Sequence, residues 1–300
     1  MDTIALIGAP SSAGAYAPGQ ERAPQALRAA GLPGLIEARG ATVDDRGDTP
    51  LQRWSPDRSS PLAQNVAGVV RTVEALTEEL TAALHDHGRA LVLGGDCTVG
   101  MAAVRACGPG VGFVYLDMHA DMNTPASTLD GALDWMGVAH LLRLDGTVPA
   151  LARERSLEPD HLTLLGFEPS QATAWELRQI ASLGIAVTRA EELTADPAAA
   201  ARQARAALPD RCERIAVHFD VDVIDFVDAP LSQNTGRNVG VTLDAAAAAL
   251  AELLRDPRVV AVTVTELNPS HGAEDGSTLR AFAERLADAV ASWAAVPAGR

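Results

Sequence analysis

Residues 61–97 read PLAQNVAGVVRTVEALTEELTAALHDHGRALVLGGDC. Val66, Val69, Val70, Val73, Leu76, Leu80 and Leu84 recur at helical spacing, and Gly88 follows as a stop. This predicts a helix over 61–87. Ala90–Leu93 (ALVL) then reads as a strand that ends at Gly94-Gly95. A helix feeding a short, wholly apolar strand is the repeating unit of a parallel sheet covered on both faces.

The unit recurs in both directions. Residues 4–7 (IALI), 111–116 (VGFVYL), 162–165 (LTLL), 185–187, 215–219 (IAVHF) and 259–264 (VVAVTV) read as further strands. Helices are expected near 98–106, 170–183, 196–207, 243–255 and 278–295. The run Ala245 to Ala249 is plain helix former. No linker rich in Pro, Gly or Ser divides the chain, so residues 1–300 read as one α/β domain. The stretch 48–61 (DTPLQRWSPDRSSP) reads as a long surface loop inside it.

The chain has 300 residues, 47% of them apolar, with 39 acidic against 24 basic residues and a formal net charge of -15. All the basic residues are arginine. Without lysine, Schiff-base chemistry and a completed P-loop are excluded. The acidic balance argues against nucleic acid or an anionic membrane as partner. It leaves carboxylates free to hold metal ions or to recognise a cationic substrate. Cys97, Cys107 and Cys212 form no disulfide framework, the N-terminus lacks a signal-peptide pattern, and no apolar run reaches membrane-spanning length. A cytoplasmic protein is the expectation.

In open α/β sheets, ligands bind where loops leave the carboxyl ends of strands. Four predicted strands end in polar groups. Gly94-Gly95-Asp96-Cys97 follows the first, and Asp117-Met118-His119-Ala120-Asp121 follows 111–116. Asp220-Val221-Asp222-Val223-Ile224-Asp225 follows 215–219, and Glu266-Leu267-Asn268-Pro269 follows the last. Asp117, His119 and Asp121 alternate, so an extended backbone puts all three on one side. Asp220 and Asp222 repeat the spacing, and Asp225 adds a third carboxylate. Two carboxylates with an imidazole suit a divalent ion. Four aspartates, one His and Cys97 exceed the needs of one ion, and two ions with bridging carboxylates account for the surplus. Cys107 and Cys212 have no such company and read as packing residues.

These motifs resemble the ureohydrolase family of arginases, agmatinases and formimidoylglutamases. The family pattern is a GGDH turn, a DAHxD segment, an SxDxDxxDP segment and a late E-x-N-P. Ile7-Gly8-Ala9-Pro10 and Pro24-Gln25-Ala26-Leu27-Arg28 also resemble the arginase opening. The resemblance implies a three-layer α/β/α fold around about eight parallel strands, and a cofactor of two Mn ions. It implies one ion on Cys97, Asp117, Asp121 and Asp220, and the other on Asp117, His119, Asp220 and Asp222. A metal-bridging hydroxide would attack the guanidinium carbon, Asp121 would relay its proton, and Glu266 would bind the guanidinium. Asn123 would contact the α-carboxylate of an amino-acid substrate. A homo-oligomer, trimer or hexamer, is implied by the same analogy.

Three positions depart from the pattern. Cys97 stands where the turn has His, a replacement associated with N-omega-hydroxy-L-arginine hydrolases, which release hydroxyurea. Asp130 stands for a serine near the substrate carboxylate; it should repel a carboxylate and attract an amine. Asp134 stands for the proton-shuttling His and can shuttle near neutral pH only with a raised pKa. His140 and His271 are the substitutes available. An arginine-like guanidino substrate is expected, with N-omega-hydroxy-L-arginine as the narrower reading. Agmatinase- or formimidoylglutamase-type hydrolysis, and a non-catalytic ligand-binding role, are the alternatives.

Overall fold

The computed structural model describes residues 3–152 and 156–297. Its eight strands are β1 (Thr3–Gly8), β2 (Thr42–Asp48), β3 (Ala90–Leu93), β4 (Gly112–Leu116), β5 (Leu162–Phe167), β6 (Ala186–Arg189), β7 (Ile215–Asp220) and β8 (Val259–Thr265). They form one sheet in the order β2-β1-β3-β8-β7-β4-β5-β6, and every neighbouring pair is parallel. The helices are α1 (Ala23–Ala29), α2 (Leu32–Ala38), α3 (Val66–His87), α4 (Gly100–Cys107), α5 (Gly137–Leu142), α6 (Ala174–Leu183), α7 (Ala190–Ala195), α8 (Pro197–Ala206), α9 (Leu243–Leu253) and α10 (Ser277–Ala294).

The pleat sorts each strand's side chains into two cores. Ile4, Leu6, Leu91, Leu93, Val114, Leu116, Val217 and Phe219 pack with α1, α2 and α7 to α10. Ala5, Ile7, Ala90, Val92, Phe113, Tyr115 and Ala216 pack with α3 to α6. Both faces are therefore covered, which is why the strands read as unbroken apolar runs. This is the three-layer α/β/α architecture expected.

All seven strands expected from the sequence are present. The eighth, β2, has the sequence TVDDRGD and no apolar pattern. It lies at the sheet edge, largely exposed, where little burial is demanded of it. Its charges also blunt an open edge against pairing with another chain. Arg28 bonds Asp45 at 2.8 Å and Asp48 at 2.5 Å and ties the strand to α1. The helix expected from residue 61 begins at Val66, because Asn65 adopts a left-handed φ of 55°. Asp57 accepts the N–H of Asn65 and folds the preceding residues into a turn. Helices α1, α2, α5 and α7 are additions; none is longer than seven residues, too short for periodicity to show.

From β3 the chain passes through α4 to β4, three places along the sheet, with β8 and β7 between them. The carboxyl ends of these four strands carry all four polar motifs. Among the described residues no helix is long and apolar enough to cross a membrane.

Candidate metal centre

The turn after β3 is shaped by close packing. A side chain at Gly95 would lie 1.7 Å from the Ser11 carbonyl oxygen, so only glycine fits. Asp96 clamps the turn. It accepts the Thr98 N–H at 3.1 Å, and the Ser11 hydroxyl and Gly14 N–H at 3.0 Å each. Asp96 is thus spent on structure. Cys97 follows with its side chain buried.

Strand register brings the remaining groups to it. Tyr115 pairs with His218 and His218 with Thr263, so the next outward-stepping residues on that face, Asp117 and Asp220, flank the turn. The Cys97 thiol donates to Asp220 Oδ2 at 2.7 Å. Donor atoms of Cys97, Asp117, His218 and Asp220 lie within 4.8 Å of one another. Asp117, His119 and Asp222 form a second such group, and Asp117 belongs to both. His119 Nδ1 lies 3.3 Å from Asp117 and 3.1 Å from Asp222, while Nε2 meets the Asn234 amide at 3.3 Å.

Burial and mutual repulsion mark this edge as overloaded with negative charge. Burial, then the charge of Asp222, pushes Asp117 up to about 7. Burial and the charges of Asp222 and Asp117 hold Asp220 well above the carboxylate range. Burial pushes the Cys97 thiol up, and the charge of Asp220 adds to it. His119 is the exception: burial opposes its charge, but Asp222 and Asp117 prevail and raise it. Asp222 is likewise pushed up by burial, yet the cation of His119 draws it below its usual value. Asp117 Oδ2 and Asp222 Oδ1 are buried without a hydrogen-bond partner. An orphaned carboxylate oxygen in each group, among imidazole and thiol, fits a pair of divalent cations.

A family model for the arginase family matches residues 2–291. The chain belongs to the arginase family. It is 25% identical to the arginase of Bacillus subtilis over 95% of this chain and 97% of that one. Human arginase-1 is 34% identical, over 49% of this chain. That match spans about half the length of the human relative (47%). In fold the chain is similar to the arginase of Bacillus caldovelox, with a TM-score of 0.84, 22% identity and 98% of each chain covered. The formimidoylglutamase of Bacillus subtilis is also similar, with a TM-score of 0.77, 20% identity, and 99% of this chain and 88% of that one covered. Arginase-family proteins act on C–N bonds of linear amidines.

Beside the donor groups lies a cavity of about 340 Å³, a size for a small molecule. Its walls include Cys97, His119, Asp121, Asp220, Asp222 and Glu266, with Asp130 and Asp134 also lining it. Asp121 stands apart from both donor groups. Its Oδ2 accepts the Tyr115 hydroxyl, and its backbone takes a left-handed φ of 49°. Burial, then the charge of Asp117, raises it well above the usual range. Glu266, at φ 60°, accepts the Cys97 N–H on Oε1 and the Gln20 amide on Oε2, each at 2.9 Å. Burial and the charge of Asp96 push Glu266 up to about 8.

Asp134 lines the same cavity. Burial and the charges of Glu266, Asp96 and Asp121 hold it well above the carboxylate range. Asn123 is fully buried behind the cavity, where its Oδ1 accepts the hydroxyls of Thr173 at 2.9 Å and Ser127 at 3.2 Å. Asp225 accepts the N–H groups of Val227, Val239 and Gly240 and orders a loop. His140 is buried with Nδ1 on the Met136 carbonyl and Nε2 on the Val148 N–H. His271 bonds the Ser232 carbonyl and does not line the cavity. Sequence reasoning missed His218, Tyr115, Gln20 and Asn234 as members of the site. His218 carried one signal, since it stands at the serine of the SxDxDxxDP pattern.

Proposed function

We propose that this chain is a binuclear metal-dependent amidinohydrolase that cleaves a C–N bond of an arginine-like guanidino compound, with N-omega-hydroxy-L-arginine as the narrower substrate reading. The observation that carries it is a pair of donor groups that share Asp117, each with an orphaned carboxylate oxygen. Cys97, His119, Asp220 and Asp222 of these groups line the cavity, and Glu266 lines it with them. Cys97, Asp117, Asp220, His119 and Asp222 would hold the two cations, and the cations supply a nucleophile from water near neutral pH.

The chain's own residues do the rest. Glu266 is fixed by Cys97 and Gln20, so its carboxylate is preorganised to accept the N–H groups of a guanidinium. Asp121 has one oxygen held by Tyr115 and lines the cavity, which suits it to take a proton and return it to the leaving nitrogen. Asp134, raised by burial, can carry that proton toward solvent. Among the described residues no arginine lines this cavity, and Asp130 does. A cationic substrate is favoured over an anionic one. The same observation supports a second reading, an amine-ended guanidine of the agmatine kind, because Asp130 would attract the amine and repel a carboxylate.

Metal content and product release test the proposal together. The purified protein should hold close to two divalent ions per chain and release urea or hydroxyurea from one of arginine, N-omega-hydroxy-L-arginine and agmatine. Hydroxyurea from the second substrate alone supports the narrower reading, and turnover of agmatine alone supports the amine reading. No turnover of any guanidine by the two-metal protein would overturn the catalytic proposal.

A further inference from the structure

We propose that His218 is a direct ligand of the first metal ion, so that β7 supplies the imidazole that the turn lacks at Cys97. This rests on the binuclear reading above and goes beyond it. His218 Nε2 lies 3.4 Å from Cys97 Sγ. Two ligands of one tetrahedral ion, with metal–sulfur near 2.3 Å and metal–nitrogen near 2.0 Å, sit about 3.5 Å apart. The donor atoms of Asp117 and Asp220 fall within the same 4.8 Å set, and Asp117 Oδ2 is buried without a partner.

The ring is also held as a ligand must be. Nδ1 meets the Thr263 hydroxyl at 2.9 Å, which leaves the Nε2 lone pair toward the site when Nδ1 carries the proton. The imidazole stacks on Tyr115 with centroids 4.3 Å apart and planes 3° apart. A side chain at Gly100 would lie 2.7 Å from Nδ1, so the start of α4 admits the ring only as glycine. The Thr265 hydroxyl, 3.0 Å from Nε2 and 3.6 Å from Cys97 Sγ, turns on one torsion and can yield Nε2 to a cation. The motif letters agree: His has become Cys at 97, and Ser has become His at 218. The first ion would then sit among sulfur, nitrogen and two oxygens, a softer set than Asp117, His119 and Asp222. Such a set suits zinc better than manganese.

The test uses the full chain carrying His119→Asn, so that His218 is the one imidazole in either donor group. Stripped of metal and given one equivalent of zinc, it should show a sulfur ligand near 2.3 Å and imidazole outer-shell scattering in zinc-edge X-ray absorption. Adding His218→Ser should remove the imidazole scattering and weaken zinc binding about 100-fold. Sulfur without imidazole in the His119→Asn protein overturns the proposal, whether or not the second variant folds. So does imidazole scattering that survives His218→Ser. Returning the imidazole to the turn, with Cys97→His and His218→Ser together, should restore zinc affinity and remove sulfur. A native chain that binds fewer than two ions would sink the binuclear reading instead, and leaves the His218 spectra to be judged separately.

Discussion

The ring of Tyr115 lies flat on the imidazole of His218, with centroids 4.3 Å apart and planes within 3°. The two face each other across neighbouring strands β4 and β7, and the Tyr115 hydroxyl then reaches Asp121. One side chain thus braces both His218 and the proposed proton carrier Asp121. Tyr115→Phe keeps the stack and removes the hydroxyl. We expect kcat to fall about 10-fold with two metals retained, and Asp121→Asn to cost about 100-fold or more. An unchanged kcat in Tyr115→Phe would show that Asp121 needs no such brace.

Glu266 has both carboxylate oxygens engaged before any substrate arrives. Glu266→Gln keeps an acceptor for the Cys97 N–H but cannot take on the negative charge that an arriving guanidinium would stabilise on Glu266. A charge-assisted hydrogen bond contributes about 1.5–3 kcal/mol, so kcat/KM should drop about 100-fold. Steady-state kinetics on the metal-loaded variant checks this, and a drop below threefold would remove Glu266 from substrate recognition.

His140 predicts a pH dependence of stability. Burial, only partly opposed by the hydrogen bond to Met136, pushes its pKa down to about 4. Nε2 accepts the Val148 N–H, which a protonated ring cannot do. The unfolded chain therefore binds this proton first. Stability from this group is intact above the unfolded value near 6.5 and declines as pH falls toward 4, by about 3 kcal/mol in all. Denaturant melts at pH 7 and pH 4.5 should differ less in His140→Gln than in the native chain. A His140 ring that titrates above pH 6 by NMR would contradict the assignment.

Arg89, at the entry to β3, is buried beneath the end of α10. It donates to the carbonyls of Trp293 and Val296 at 2.7 Å each and lies 5.7 Å from the Trp293 ring centroid. The Trp293 carbonyl belongs to the last turn of α10 and also accepts the Val296 N–H at 3.1 Å, while Val296 lies just past the helix. Arg89→Met should destabilise the fold by about 2 kcal/mol, because two charge-assisted hydrogen bonds to carbonyls at the end of α10 vanish. Metal content should not change. Equilibrium unfolding reads the loss; under 1 kcal/mol would mean that water replaces the guanidinium.

Much of this protein was legible in its residues, for a physical reason. A strand buried on both faces must be apolar along its length, so seven strands announced themselves. Polar groups can survive beside such strands only where they end, which made Asp117, His119, Asp220, Asp222 and Glu266 conspicuous. The edge strand β2 and the short helices escaped because little burial is asked of the one and little length is available to the others.

The sequence by itself therefore determined the sheet's interior, the order of its motifs and the chemical kind of the site. Tertiary structure decided the partnerships. Cys97 and His218 are 121 residues apart, and no periodicity relates them. Only the placing of β7 between β8 and β4 sets Asp220 and His218 against the turn after β3. It also withdrew Asn123 behind the cavity and put Tyr115 on Asp121. Spacing along one strand fixes which face a side chain takes, but which strands become neighbours is settled by packing the whole sheet at once.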